Sequence, residues 1–277
     1  MSARLDDVRI GFVGGGAMGE ALAAGVLAAG ALPAHVRAAD PDPGRRKHLE
    51  QALGIEVSGD NASVVEASDL VVLAVKPGLV ASALAALGGP SAPELARPLW
   101  VSIAAGVPIA TLAAALPSGA RIVRAMPNTP ALVRTGATAF VANEGASARD
   151  RALARTLFEG VGLAWEAPSE ALLDAVTGLS GSGPAYVFVF LEALSDAGVR
   201  MGLPRDAASA LAVQTVLGAA KLAQETGRHP AALKDQVTSP GGTTSAGLER
   251  LEAHGFRAAV HEAVAAATRR SRELGGG

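Results

Sequence analysis

From Arg9 to about Trp165, short apolar runs alternate with stretches whose apolar residues recur at helical spacing. That alternation predicts strands joined by crossover helices, the order of a parallel sheet. Ile10-Gly-Phe-Val13 reads as the first strand, and Met18, Ala21, Leu22, Gly25, Val26 and Ala29 share one face of a helix that Gly30 stops. Val36–Ala39 reads as a second strand, residues 45–53 as a helix closed by Gly54, and residues 70–75 as a buried strand ended by Lys76-Pro77-Gly78. Further strands are expected at 99–104, 122–125 and 138–142. Residues 1–165 therefore read as an α/β, Rossmann-type, doubly wound dinucleotide domain. After Pro168 the strand signals fade and helical patterns run on to Leu274, so residues 166–277 are expected to form an all-α C-terminal domain. Breaks at 178–184, 202–204, 227–230 and 239–244 punctuate it, and residues 275–277 read as a frayed glycine tail.

Composition narrows the classes. With 277 residues, 49% hydrophobic and a formal charge of −2 in no long block, nothing favours nucleic acid or an anionic membrane as partner. The absence of cysteine excludes disulfides, thiolate metal sites and a cysteine nucleophile. The start carries two acids and no basic segment leading into an apolar run, and the longest apolar run, 185–191, is far short of the ~20 residues that span a bilayer. The expectation is a soluble, cytoplasmic protein acting on a small molecule.

Gly14-Gly-Gly16-Ala-Met-Gly19 is a G-x-G-x-x-G lying between a strand and a helix. Gly14 permits the tight turn, Gly16 lets the backbone approach a pyrophosphate, and Gly19 packs the helix closely on the strand. The plain alternative is a glycine-rich turn without a ligand. Cofactor choice is read at the end of the second strand, where a carboxylate suits a ribose diol and an arginine suits a 2′-phosphate. There Asp40 favours NAD(H), whereas Arg37, Arg45 and Arg46 favour NADP(H). NADP(H) is the expected cofactor, with NAD(H) open.

Ser239-Pro-Gly-Gly-Thr-Thr244 joins two backbone-freeing glycines to three hydroxyls ahead of a helical stretch at 246–253. Such a loop suits a small carboxylate or phosphate, and equally suits a simple N-capping role. Gly178-Leu-Ser-Gly-Ser-Gly-Pro-Ala-Tyr186 opens a long apolar helix at 187–199, and its glycines suit close backbone approach. Tyr186 reads as a packed ring with a satisfied hydroxyl. The five histidines lack metal-ligand spacing, so no metal is expected, and no G-x-S-x-G elbow or phosphate-binding G-x-x-x-x-G-K-[ST] loop occurs.

Taken together, the residues resemble the pyrroline-5-carboxylate reductase family. The resemblance runs through Phe12-Val-Gly-Gly-Gly-Ala-Met18, Asp60-Asn61, Leu73-Ala-Val-Lys-Pro77, Arg124-Ala-Met-Pro-Asn-Thr-Pro130, the 178–186 block and Val237-Thr-Ser-Pro-Gly-Gly-Thr-Thr244, in the family's order. It implies a Rossmann domain, residues 1–165, and a helical substrate-binding and dimerisation domain, residues 166–277. It further implies NAD(P)H-dependent reduction of the C=N bond of 1-pyrroline-5-carboxylate to L-proline, the last step of proline biosynthesis. By the same resemblance Ser239, Gly242 and Thr243 hold the substrate carboxylate and Thr244 hydrogen-bonds the ring nitrogen, as the catalytic contact. Gly14, Gly16, Ala17, Met18, Asn61, Val75, Lys76, Pro77, Ala104 and Ala105 would line the dinucleotide site. Gly19 departs from the alanine found in many relatives. The apolar surface of the 187–199 helix adds an expectation of a homodimer or a ring of dimers.

Two other readings compete. A β-hydroxyacid dehydrogenase-like reductase needs a catalytic lysine in the helical domain, where only Lys221 and Lys234 stand. A non-catalytic nucleotide-sensing module would carry a degraded substrate loop, whereas 239–244 is entire.

Overall fold

The computed structural model describes residues 4–275. Expectations resting on residues 1–3, 276 and 277 lie outside the described residues. The chain separates into two compact units, residues 1–182 with 266–277, and residues 183–265. The division expected at 165/166 falls elsewhere than these boundaries.

In the first unit the elements run β1 (Ile10–Val13), α1 (Ala17–Ala28), β2 (Val36–Ala39), α2 (Pro43–Leu53), β3 (Glu56–Ser58), α3 (Asn61–Glu66) and β4 (Leu70–Leu73). They continue through α4 (Val80–Ala86), β5 (Leu99–Ser102), α5 (Ile109–Ala114), β6 (Arg121–Met126), β7 (Gly136–Ala142), α6 (Ala148–Glu159), β8 (Gly162–Glu166) and α7 (Leu172–Val176). The sheet order is β3-β2-β1-β4-β5-β6-β7-β8. All neighbours are parallel except β6 and β7, with Ile10 opposite both Val36 and Leu70 and Leu70 opposite Leu99.

Alternate residues of one strand feed two cores. Leu70 and Val72 of β4 pack in a cluster with Phe12, Leu22 and Phe158, while Val71 and Leu73 pack with Leu84, Trp100 and Ile122. Both faces are thus buried, which explains why the central strands are unbroken apolar runs. Gly30 and Gly54 stop α1 and α2 at φ of 102° and 66°, the left-handed region that side chains disfavour.

Several sequence expectations need correction. The strands expected at 70–75 and 99–104 end at Leu73 and Ser102; after β4, Ala74 and Val75 turn to the edge of a cleft. β3 and β8 were not expected. Residues 178–182 form no break: a π-helical turn, Thr177–Gly181, follows α7.

The second unit holds α8 (Gly183–Arg200), α9 (Arg205–Thr226), α10 (Pro230–Gln236), α11 (Thr243–Ala253) and the start of α12 (Phe256–Leu274), whose residues from Ala266 belong to the first unit. Ser195 of α8 and Ser209 of α9 share a hydrogen bond of 2.9 Å, and a Cβ on Gly198 would lie 3.1 Å from the Ala208 Cβ, so these helices pack closely. Val189, Leu211 and Leu217 remain exposed. No helix among the described residues is long and apolar enough to cross a membrane.

Trp100 is fully buried, and its indole N–H donates to the Leu95 carbonyl at 2.7 Å. Trp100→Ala should cost about 3–5 kcal/mol, read by urea unfolding at fixed protein concentration. A loss under about 1 kcal/mol would show that this core readily collapses around the gap.

Candidate functional site

The glycine turn between β1 and α1 separates structural from ligand-facing glycines. Gly14 has φ 101° and a Cβ there would lie 2.8 Å from the Ala74 carbonyl carbon. A Cβ on Gly15 would meet Leu49 at 2.6 Å, and one on Gly19 would meet the Gly14 carbonyl oxygen at 2.5 Å. Gly16 differs: its φ is −62°, and a Cβ there meets nothing within 4 Å. Neither backbone conformation nor packing calls for glycine at 16. Gly16 is also the N-cap of α1 and supplies no side-chain acceptor, so the first amides of that helix face open space. This is the arrangement a pyrophosphate needs.

The end of β2 braces that turn. Asp40 accepts hydrogen bonds from the Gly15 and Asp42 amides, each at 2.9 Å. Arg45 donates to the Gly15 carbonyl and to Glu20, and the His48 Nε2 lies 2.9 Å from the same carboxylate. Burial raises the Glu20 pKa, but hydrogen bonds from His48 and Arg45 outweigh it and hold the group below its ordinary value. Arg46 donates to the carbonyls of Asp40 and Pro41 at 3.0 and 2.9 Å, and Arg37 lies 3.3 Å from Glu56. All three arginines that could hold a 2′-phosphate are therefore engaged by protein groups.

Two clefts open at the carboxyl ends of the strands. The first, about 440 Å³, is lined by Gly14, Gly16, Asn61, Val75 and Lys76, with Asp40 and Pro41 on its wall. The second, about 570 Å³, includes Pro77, Ala105 and Gly106, together with Thr177, Ser182 and the α12 residues Arg270, Ser271 and Leu274. Both volumes lie in the range of small-molecule sites. Ala17, Met18 and Ala104 line neither: Ala17 is exposed on the first turn of α1, Met18 packs against the core, and Ala104 is buried. The α12 wall was not foreseen from the sequence. Its anchor is long-range, a 2.7 Å hydrogen bond from the Ser271 hydroxyl to Asp174.

In the second unit, α11 starts three residues earlier than the sequence suggests, so Thr243 and Thr244 occupy its first turn. Gly241 has φ 67°, and Gly242 is the N-cap with no side-chain cap bond. A Cβ on Gly242 would collide with the Ser239 hydroxyl. None of these hydroxyls caps the helix, so the plain capping role is not realised. His229 does cap α10, accepting from Ala231. The Tyr186 hydroxyl lies 3.5 Å from the Ala263 carbonyl. Lys221 and Lys234 sit in ion pairs with Glu225 and Asp235.

Residues 170–274 match the family described as pyrroline-5-carboxylate reductase dimerisation, and residues 9–106 match NADP oxidoreductase coenzyme F420-dependent. The pyrroline-5-carboxylate reductase of Synechocystis is 48% identical over 97% of this chain and 98% of its own. That of Pseudomonas aeruginosa is 45% identical over 96% of each. The chain belongs to the pyrroline-5-carboxylate reductase family. Among solved structures, a family member from Coxiella burnetii matches with a TM-score of 0.91 at 37% identity, covering 96% of this chain and 98% of that one. One from Plasmodium falciparum, solved with NADP bound, matches at 0.86 and 33%, covering 98% and 99%. Membership makes the chain an NAD(P)-dependent oxidoreductase of proline biosynthesis, with the Rossmann and helical parts expected.

For this reductase, Gly16→Val should fold with circular dichroism unchanged, costing under about 1 kcal/mol, and should weaken NAD(P)H binding by roughly tenfold or more, a difference of at least ~1.4 kcal/mol. Gly19→Val, which drives carbon into the Gly14 carbonyl, should destabilise the fold instead. Equal dinucleotide affinity in folded Gly16→Val and wild type would move the phosphates elsewhere.

Proposed function

We propose that the chain reduces the C=N bond of 1-pyrroline-5-carboxylate to L-proline at the expense of NAD(P)H. The observation that carries this reading is the 239–244 loop, which brings three hydroxyls, at 239, 243 and 244, to a helix start that has no side-chain cap among the described residues. Ser239, Gly242 and Thr243 hold the substrate carboxylate, and Thr244 hydrogen-bonds the ring nitrogen. NAD(P)H, when bound, supplies the hydride that the imine carbon of the C=N bond receives. Gly14, Gly16, Asn61, Val75, Lys76, Pro77 and Ala105 form its site, with Ala17, Met18 and Ala104 beside it but off the cleft walls, and the open space at Gly16 supports the phosphate end. A protonated imine is already electrophilic, so the chain's task is to orient the imine carbon and the nitrogen rather than to supply a strong acid. Residues 1–165 serve as the dinucleotide module and 166–277 as the substrate and dimerisation module. The working form is a homodimer or a ring of dimers, supported by the exposed Val189, Leu211 and Leu217. The cytoplasm is the proposed compartment, in keeping with a chain free of cysteine.

Both cofactors are accepted in this reading. The arginines around β2 favour NADP(H), but their engagement by Glu20, Glu56 and backbone carbonyls reduces that advantage. Asp40, on the cleft wall, repels a 2′-phosphate while leaving lone pairs for a diol. Asp40→Asn should shift the ratio of NADPH to NADH affinity towards NADPH by roughly fivefold or more, measured by fluorescence of the bound nucleotide. An unchanged ratio would remove Asp40 from the ribose end.

Thr244→Ala should fold normally and lower kcat by roughly tenfold to a thousandfold, the scale of positioned donor groups. Ser239→Ala should act mainly on the substrate KM. Steady-state oxidation of NAD(P)H with pyrroline-5-carboxylate reads both, and wild-type turnover in Thr244→Ala would transfer the nitrogen contact to another group.

A further inference from the structure

Of two sequence blocks, 124–130 and 178–186, only Ser182 has so far been placed on a cleft wall. The structure joins them through one side chain. Asn128 is buried, and its amide spans two segments: Nδ2 donates to the Ser180 carbonyl at 3.0 Å, and Oδ1 accepts from the Ala137 amide at 2.8 Å. Ser180 lies in the π-helical turn, where the Ser182 amide donates to the Thr177 carbonyl at 2.8 Å. In an ordinary helix the Ser180 carbonyl would accept from the residue four positions on. That residue is Pro184, which has no N–H. The Asn128 amide gives that carbonyl a donor from another segment of the chain. Beside it, a Cβ on Gly181 would lie 2.7 Å from the Met126 methyl, so the turn is fitted against the end of β6. Its two ends, Thr177 and Ser182, stand on the wall of the 570 Å³ cleft that Pro77 and Ala105 also line.

We propose that Asn128 is a positioning residue for the reduction, holding the π turn so that Thr177 and Ser182 keep the shape of this cleft. The proposal rests on the proposed membership of Pro77 and Ala105, which line this cleft, in the dinucleotide site, and takes the cleft as the reacting end of that site. A π turn is a rare, locally strained element that concentrates at functional sites, and here its stray carbonyl is tied down by a side chain from another strand end. A wall displaced by a fraction of an ångström changes turnover far more than it changes binding of the distant adenosine half.

Asn128→Asp is the test, because it keeps the acceptor for Ala137 and alters only the group facing Ser180. As a carboxylate it sets negative charge against a carbonyl; once protonated, its hydroxyl donates to that carbonyl again. Burial and the facing carbonyl both raise the pKa of this carboxyl, so the donor returns as pH falls. The expected result is a kcat reduced by about tenfold to a hundredfold at alkaline pH, with the deficit shrinking at mildly acidic pH and NAD(P)H affinity within about twofold of wild type throughout. A deficit that does not vary with pH, or none, overturns the proposal. Should Asn128→Asp fail to fold, Asn128→Ser, which retains a hydroxyl donor, replaces it. A folded Asn128→Ser protein with wild-type kcat and unchanged hydrogen exchange at 177–182 overturns the proposal, and lowered protection with lowered kcat supports it. Wild-type turnover of pyrroline-5-carboxylate, run alongside, separates failure of the functional reading from failure of the role given to Asn128.

Discussion

A parallel sheet buried on both faces leaves only its strand ends for polar chemistry, and this constraint organises the rest of the first unit. Residues of β4 and β5 have essentially no exposed surface on either side. A charged ligand laid on such a face would lose its hydration without recovering hydrogen bonds. At the carboxyl ends the ladder stops, backbone amides are released, and the order reverses between β1 and β4, opening a crevice. Gly14, Val75 and Asn61 converge there because strand lengths end together, not because their side chains attract one another. Asp40 and Arg45 then fix the amide and the carbonyl of Gly15, so that the turn is held from both sides before any ligand arrives.

Most polar groups that enter the interior are partnered, the buried Thr138 hydroxyl being the exception among the described residues. Arg124 on β6 reaches Glu170 at 2.6 Å, and the same carboxylate oxygen accepts from the Ile109 amide at 2.8 Å. Removing one partner would leave a buried charge, which is costlier than never having placed the pair. Arg124 and Asn128 lie in one short block, and each joins β6 to chain that follows β8. The end of β6, next to the antiparallel β7, is thereby tied to the chain after β8 by hydrogen bonds rather than by apolar packing alone.

Sequence patterns carried the central strands and the stops at Gly30 and Gly54, because continuous apolar runs and left-handed glycines have local causes. They overran β4 and β5, since Ala74, Val75, Ile103 and Ala104 are as apolar as the paired residues before them. β3 has only three residues, and β8 exposes Leu163 and Trp165, so neither shows the pattern of a buried strand. The 178–184 block looked like a break because glycine and serine disfavour helices, yet Asn128 and Met126 hold it in a helical turn. In the site, the glycine turn was legible because each glycine there has a backbone or steric reason or a plain lack of one. The Asp40 clamp and the α12 wall were not, since both depend on residues far apart in sequence.

Helix starts show how the same chemistry can be either structural or functional. Asp42, Asp60, Ser147 and His229 cap α2, α3, α6 and α10 with their own side chains, and Glu170 serves the first amide of α5. α1 and α11 instead carry glycine at the N-cap and no side-chain acceptor. α4, α7 and α9 also lack a side-chain cap, behind Leu79, Ala171 and Pro204, so it is the glycine at the N-cap rather than the missing cap that sets α1 and α11 apart. At Gly16 the space is open, and at Gly242 a side chain would strike the Ser239 hydroxyl. An anion at either start would recover the lost cap and gain from the helix dipole as well. The two anionic groups of the proposed reaction, a pyrophosphate and a carboxylate, would suit these two starts, although at Gly242 the clash with the Ser239 hydroxyl already calls for glycine.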